Sequence, residues 1–283
     1  MMAAMVAFSF EDAFVKAVSE NHAVGQVLVV FGVGGALLFA VVARINKQHL
    51  LNPDVLSRAM SIRIVFEVIG RLFYVLALAL TPLSSTTAIL QATPIIVVLG
   101  AALLFGEKVG WRRWTAIIVG LIGVLIILRP TADSFSALSL LAVIGTIGFA
   151  GRDLASRAAP VSLSTSILGF YGFVAIILAG IMFSFWDGKA FTWMNTQSVL
   201  YFVGAILMGA FAYAALMKAM RIGDVSAVTP FRYTRLLFGI ALGMILFGEE
   251  PDLLMMVGCG IVVLSGLFIL WRSKITEEHL DTP

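Results

Sequence analysis

The chain has 283 residues, of which 60% are hydrophobic and only 12% are charged, with a formal net charge of +3. Soluble domains carry about 25% charged residues, so this chain lacks the polar surface that would cover it in water. The composition excludes a soluble globular protein and predicts an integral membrane protein. Its basic residues are expected to face an anionic membrane surface, and no nucleic-acid partner is expected.

Ten segments are apolar and long enough to span a membrane, which takes about 20 residues per helix. Their approximate bounds are about 2–18, 25–43, 59–80, 83–105, 113–129, 137–157, 164–185, 198–220, 224–247 and 252–272. The connections are short, so no soluble domain is predicted. The last residues, 276–283, form a short polar tail.

Basic residues fall mainly on one side of the membrane if the N-terminus lies in the cytoplasm. Eleven are then inside (Arg44, Lys47, Arg58, Lys108, Arg112, Arg113, Arg157, Lys218, Arg221, Arg272 and Lys274) and three outside (Lys16, Arg129 and Lys189). Cytoplasmic loops are enriched in Lys and Arg. We therefore expect a multi-pass protein of the cell (inner) membrane with both termini in the cytoplasm.

The two halves of the sequence repeat each other. The stretch Leu104–Glu107 recurs 142 positions later, and Asp12-x-x-x-Lys16 recurs 141 positions later as Asp153-x-x-x-Arg157. Five helices per half is an odd number, so the second half must enter the membrane from the opposite side. Inverted repeats are typical of secondary transporters, with the binding site near the midplane. The sequence predicts an all-α integral membrane protein whose ten transmembrane helices form two inverted five-helix repeats.

Four motifs follow one another along the chain. They are Ala88-x(5)-Pro94, Phe105-Gly106-Glu107, Trp114-x(5)-Gly120-x-x-Gly123-x(5)-Arg129-Pro130, and Phe247-Gly248-Glu249 before Gly258. Their order resembles that of the drug/metabolite transporter superfamily, specifically the EamA-type ten-helix carriers. The resemblance implies one EamA-type repeat in residues 1–135 and a second in 136–275. It also implies that helices one, three, four, six, eight and nine line the pathway, and it identifies no solute.

Three charged residues lie along one face of the predicted third helix. Arg63, Glu67 and Arg71 follow an i, i+4, i+8 spacing. One interpretation is an intrahelical ion pair packed against neighbouring helices. The other is a cavity wall on which Glu67 or Arg71 binds solute, and the cost of intramembrane charges favours it. Arg63 lies nearer the cytoplasmic end, where its side chain is expected to snorkel toward water and to have a structural role.

Two arginines of the predicted ninth helix also share one helix face. Arg232 and Arg235 need counter-charges inside the bilayer. Glu67 is the expected partner, followed by Asp12 and Asp153. We expect the two arginines to hold an acidic or carbonyl-bearing part of a solute, while Glu67 binds a cationic group or relays a proton. A structural ion pair between the halves is the alternative.

Two prolines interrupt the predicted fourth and ninth helices. Pro94 and Pro230 each remove a backbone donor, and interrupted helices beside a cavity expose backbone groups to a solute. Gln91 near Pro94 and Tyr233 beside the arginines are predicted solute contacts. For Tyr233 the alternative is that it only fills space. An amino acid or a flat vitamin such as riboflavin would suit such a site.

Two i, i+4 pairs lie toward the ends of the first and sixth helices. In one interpretation, Asp12–Lys16 and Asp153–Arg157 are self-neutralising pairs that gate the two mouths of the pathway. In the other, they are solvated helix ends.

Signals of catalysis are missing from the sequence. The three histidines are widely spaced, and no Gly-x-x-x-x-Gly-Lys-Ser/Thr loop is present. We expect no catalytic residue, metal or cofactor. The expected partners are a small-molecule solute, the lipid bilayer and a second copy of the chain, because the glycine-rich tenth helix suits helix packing or a homodimer contact.

The sequence as a whole predicts a secondary transporter. It would move a small polar or amphipathic organic metabolite across the cytoplasmic membrane by alternating access between the two halves. The alternatives are a passive channel, a membrane enzyme and a non-transporting membrane subunit.

Overall fold

The computed structural model describes residues 1–107, 109–128, 138–222, 228–248, 252–254, 256–261, 264, 265 and 268. All of the secondary structure within these residues is helical. The predicted polar tail, 276–283, and much of the predicted tenth helix lie outside the described residues.

The described helices lie at the first nine predicted segments, with ends that differ by a few residues except that the α-helix of the ninth segment begins only at Thr234. They are α1 (Met2–Ser19), α2 (Val24–Ile45), α3 (Arg58–Leu80), α4 (Leu83–Leu90), α5 (Thr93–Phe105), α6 (Trp111–Leu128), α7 (Ser139–Ala158), α8 (Thr165–Asp187), α9 (Thr196–Arg221) and α10 (Thr234–Phe247). The 3₁₀ turns Pro53–Leu56 and Thr229–Tyr233 precede α3 and α10. By length and composition, α2, α8 and α9 are the described helices apolar enough to cross a membrane.

The α-helical geometry breaks at two places beside prolines. The predicted fourth helix divides at Gln91, so that α4 ends at Leu90 and α5 begins at Thr93 with Pro94 in its first turn. The predicted ninth helix opens with the 3₁₀ turn Thr229–Tyr233, which also has a proline in its first turn. A proline is tolerated there because the first-turn N–H groups have no intrahelical acceptor.

Glycines bring helices from the two halves into direct contact. The main pairs are α2 with α8, α3 with α7, and α1 with α9. A Cβ on Gly148 of α7 would lie 2.4 Å from the Cα of Gly70 on α3. A Cβ on Gly32 of α2 would lie 2.9 Å from the main-chain nitrogen of Ile177 on α8. Such contacts suit helices that pack inside a bilayer, where small residues let backbones approach closely.

The molecule is apolar outside and charged inside. Leu37, Phe185 and Phe211 are 62%, 86% and 57% exposed, whereas Glu67 and Asp153 are 0% exposed. Monomeric soluble proteins do not expose apolar surface on this scale. The surface therefore requires a lipid environment.

Gly148→Val is expected to destabilise the protein by about 3 kcal/mol, because the added side chain would occupy the position of the Gly70 backbone. Denaturant titration in detergent micelles measures the loss. Gly110→Val is the matched control, since no described atom lies within 4 Å of a Cβ placed there. Equal stability of the two variants would contradict the close α3–α7 contact.

Candidate functional site

Nine charged side chains are buried in the part of the chain that the structure describes. They belong to α1, α3, α7, the 3₁₀ turn before α10, and the first turn of α10. The four carboxylates are Glu11, Asp12, Glu67 and Asp153, and the five guanidiniums, each at most 8% exposed, are Arg63, Arg71, Arg152, Arg232 and Arg235. Charges so deeply buried are tolerated only when they are paired and hydrogen-bonded.

Asp12 of α1 binds the arginine that begins α10. Arg235 donates from Nε at 2.9 Å and from Nη2 at 2.6 Å to Asp12 Oδ2, and Nη2 also lies 2.7 Å from Oδ1. The Tyr74 hydroxyl donates to the same carboxylate at 3.2 Å. The guanidinium lies over the Phe8 ring, 4.7 Å from its centroid. These contacts connect α1, α3 and α10 around one ion pair.

Asp153 of α7 lies 141 positions after Asp12 and binds the other arginine of this segment. Its Oδ2 accepts from Arg232, and its Oδ1 accepts from Nε of Arg152 at 2.9 Å. Arg152 continues through Nη1 to Glu67 Oε1 of α3 at 3.2 Å. The start of the predicted ninth helix is therefore tied to α7 as well as to α1.

The carboxylate of Glu67 is enclosed by donors. It accepts from the Tyr213 hydroxyl of α9 at 2.5 Å and lies 3.8 Å from Nη2 of Arg63. Arg63 also donates to Ser156 Oγ and to the Leu168 carbonyl, each at 2.9 Å. Arg63 does not snorkel toward water, because its side chain is 0% exposed. Its contacts agree with the expected structural role, since they join α3 to α7, α8 and α9.

Arg71 is the remaining charge on this face of α3. Its Nη1 lies 2.5 Å from Glu11 Oε1 of α1, and its guanidinium lies over the Phe31 ring, 4.9 Å from the centroid. Glu11 and Asp12 are adjacent, so α1 presents one carboxylate to α3 and one to α10.

A constricted cavity lies between these ion pairs. It has room for only about one or two water molecules. Its described lining residues are Met5, Phe8, Arg71, Leu90, Gln91, Thr93, Phe149, Arg152, Leu216, Arg232 and Arg235. They come from α1, α3, the α4–α5 pair, α7, α9, and α10 with the 3₁₀ turn before it. These correspond to predicted helices one, three, four, six, eight and nine, the six that the family resemblance implied. The wall combines apolar groups with arginines.

Four of the six predicted solute contacts line this cavity: Arg71, Gln91, Arg232 and Arg235. Their binding roles remain predictions. In the amide orientation that satisfies both neighbours, Gln91 donates to the Arg232 carbonyl and accepts from the Leu236 N–H, each at 3.2 Å. Gln91 thereby joins the break between α4 and α5 to the start of α10.

Glu67 is not among the described residues that line the cavity. The prediction that it neutralises the arginines of the ninth helix is wrong, because Arg232 binds Asp153 and Arg235 binds Asp12. Each oxygen of the Glu67 carboxylate already accepts a hydrogen bond, from Arg152 and from Tyr213, and the side chain is 0% exposed. Its position supports a role in holding α3, α7 and α9 together.

Tyr233 fills space between α10 and α6, and the prediction that it contacts solute is corrected. It is 1% exposed, and its hydroxyl donates to the Ile117 carbonyl of α6 at 3.0 Å. A Cβ on Gly120 would lie 2.5 Å from its ring, so the glycine makes room for the tyrosine. Tyr233 therefore docks the start of α10 against α6.

The two predicted gating pairs need a different assignment. Asp12 and Asp153 are 1% and 0% exposed, so they are not solvated helix ends, and each binds an arginine before or at the start of α10. Lys16 donates to main-chain carbonyls at the end of α3, at 3.1 and 3.3 Å. Arg157 donates to a carbonyl at the end of α9 at 3.4 Å. Arg235 reaches Asp12 with two nitrogens, and Arg232 contacts Asp153. Each aspartate therefore pairs with an arginine near the start of α10 and not with the basic residue four positions later in its own helix.

Sequence reasoning missed Glu11, Arg152 and Tyr213 as members of this network. Glu11 and Arg152 are 141 positions apart, and Tyr213 follows Arg71 by 142. These are the offsets that align the two halves. The three residues could therefore have been predicted by applying these offsets to the charged residues of α1 and α3.

The Asp12–Arg235 pair is expected to be strongly coupled. Asp12→Asn or Arg235→Gln leaves the opposite charge buried, so each should cost about 3–5 kcal/mol of unfolding free energy, and the double variant much less than the sum. Denaturant titration in micelles measures this cycle. Lys189→Gln is the control, because Lys189 is 69% exposed in its pair with Asp187. Losses that add within about 0.5 kcal/mol would contradict a direct buried pair.

The chain is similar to known transporters along nearly its whole length. The EamA-like transporter family matches residues 1–129 and 137–271. A riboflavin transporter of Vibrio cholerae is 33% identical over 221 residues, which cover 77% of this chain and 73% of that protein. An S-adenosylmethionine uptake transporter of Rickettsia prowazekii is 27% identical over 214 residues, or 74% of this chain and 71% of that protein.

Two further comparisons extend over nearly the whole chain. A pseudopaline exporter of Pseudomonas aeruginosa is 25% identical over 283 residues, covering 97% of this chain and 96% of the exporter. A solved crystal structure matches 99% of both chains with a TM-score of 0.74 at 16% identity, which shows a shared fold. The family match and the apolar helices make the protein a multi-pass membrane transporter. The chain belongs to the EamA-like transporter family of the drug/metabolite transporter superfamily, as its motifs predicted.

Proposed function

We propose that the protein is a secondary transporter that moves a small polar or amphipathic organic metabolite across the cell (inner) membrane by alternating access. The observation that carries the proposal is the constricted cavity, which four buried arginines line at the meeting point of six helices. Ionisable residues inside a membrane are expensive and mark solute or ion pathways.

Ten spans in two inverted repeats, 1–135 and 136–275, are the proposed frame. The two matched segments of the family support it. The helix contacts support it too, because exchanging the halves turns the α1–α9 contact into the α7–α3 contact and leaves the α2–α8 contact unchanged. It likewise turns the α1–α10 contact into that between α7 and the α4–α5 pair. Repeats related in this way place one site between them.

The distribution of basic residues supports a cytoplasmic location for both termini. In that orientation α1 runs outward and α7 runs inward. The glycines of the predicted last helix support a contact with a second copy of the chain, and a homodimer is part of the proposal.

Two ion pairs are the proposed gates, and they replace the two pairs predicted within single helices. Asp12–Arg235 would close the outer side of the cavity and Asp153–Arg232 the inner side, since the aspartates occupy equivalent positions on oppositely directed helices. Separation of one pair while the other holds would open the cavity to one side. Such a switch between two arrangements is the physical content of alternating access.

The names of the relatives support organic solutes. One is called a riboflavin transporter, another an S-adenosylmethionine uptake transporter and a third a pseudopaline exporter. Riboflavin, S-adenosylmethionine and amino acids are therefore the first solutes to test, in both directions.

Purified protein in liposomes is expected to give saturable flux of at least one metabolite from a panel that contains these solutes. Preloading the liposomes with that solute should accelerate uptake, because a carrier exchanges solute faster than it returns empty. Arg235→Ala should abolish the flux, and Lys189→Gln, on the exposed surface, should not. Flux that rises without saturation would indicate a channel. Absence of flux for the whole panel would contradict the proposal and favour a non-transporting subunit or an enzyme.

A further inference from the structure

The charged part of the described cavity wall is entirely cationic. Arg71, Arg152, Arg232 and Arg235 line it, whereas the four buried carboxylates are not among its described lining residues. The described interior also contains one more arginine than carboxylates, because Arg63 adds a fifth guanidinium. In a space of low dielectric this balance favours a negative charge on whatever enters.

Two of the four lining arginines have most of their donors engaged. Arg235 directs Nε and Nη2 at Asp12. Arg152 directs Nε and Nη2 at Asp153 and Nη1 at Glu67. These two arginines are held in place by the protein itself and define the shape of the wall.

Arg71 and Arg232 differ, because each contacts its carboxylate through a single nitrogen. Arg71 donates to Glu11 through Nη1, and Arg232 donates to Asp153 through Nη2. The Nε atom of each is buried without a hydrogen-bond partner among the described residues. Arg71 is 2% exposed and Arg232 is 7% exposed, so bulk water does not satisfy them. A buried charged donor without an acceptor is destabilising, and both side chains line the same cavity.

We propose that the solute carries a carboxylate or phosphate-ester anion, bound jointly by Arg71 of the first half and Arg232 of the second; this rests on the proposed transport function. A guanidinium presents N–H donors in a planar fork that matches such oxyanions. The anion supplies the acceptors that the two Nε atoms lack, and it balances the extra positive charge of the interior.

The rest of the wall suits an organic body. Met5, Leu90 and Leu216 are apolar, and Gln91 and Thr93 are uncharged. An ammonium group would meet guanidiniums and no carboxylate among the described lining residues. The site therefore selects organic anions over cationic or neutral analogues of the same shape.

The test compares solutes that share a shape but differ in charge. In liposomes that contain the full chain, riboflavin 5′-phosphate is compared with riboflavin, and indole-3-acetate with indole-3-acetamide. The anionic member of at least one pair is expected to be taken up with a KM at least about tenfold lower than its neutral partner. A panel in which neutral members are transported as well as or better than the anions overturns the inference and leaves the transport proposal standing. Absence of all flux overturns the transport proposal.

A second measurement needs no transport. Benzoate should raise the melting temperature of the purified protein in micelles, and benzamide should not. Arg71→Lys and Arg232→Lys keep the charge beside Glu11 and Asp153 but remove the unpartnered Nε donor, so both should abolish the benzoate effect and raise the KM of the anion about tenfold or more. Arg44→Lys, on the exposed end of α2, is the matched control. Unchanged benzoate stabilisation and unchanged KM in both site variants would refute anion binding by these arginines.

Discussion

Two buried aspartates neutralise the two arginines that precede or begin α10, and the rest of the structure depends on these contacts. An unpaired arginine in the interior of a membrane protein costs at least about 3 kcal/mol. The ion pair with Asp12 on α1 offsets this cost for Arg235, and the ion pair with Asp153 on α7 offsets it for Arg232. One short segment is thus bound at once to both halves of the chain, so a change in either contact alters how the halves fit together.

The backbone packing makes this arrangement possible. The direct contact of Gly70 with Gly148 brings α3 against α7 and sets Glu67 within reach of Arg152. The breaks between α4 and α5 and before α10 then let Gln91 approach the Arg232 carbonyl. The carboxylates lie behind the arginines, so the space that remains between the helices presents positive charge and apolar groups. The charge pairing at the arginines therefore depends on the close packing at the glycines.

Much of this was accessible from the sequence, and the remainder was not for a physical reason. The length of the apolar segments predicted the described helices, and the prolines predicted the two breaks. Arg71, Gln91, Arg232 and Arg235 were predicted as site residues because charged or amide groups stand out in an apolar background, and all four line the cavity. Pairing was harder to predict, since which carboxylate an arginine reaches depends on rotation and depth of helices that are far apart in sequence. Glu67 was therefore assigned to the wrong arginines. Tyr233 was misplaced for a similar reason, because nothing in its neighbours along the chain reveals that it faces Gly120 of α6.

The claim that two ion pairs gate one cavity is tested most directly by the accessibility of a single cysteine. Leu216→Cys, introduced with Cys259→Ser, places a thiol on the cavity wall in a chain that otherwise has no cysteine. The account predicts that Asp12→Asn increases labelling by a membrane-impermeant thiol reagent from the outer face alone. Asp153→Asn should increase it from the cytoplasmic face alone, measured in inside-out vesicles. Increased labelling from the same face in both variants, from both faces in either one, or from neither face would contradict the account.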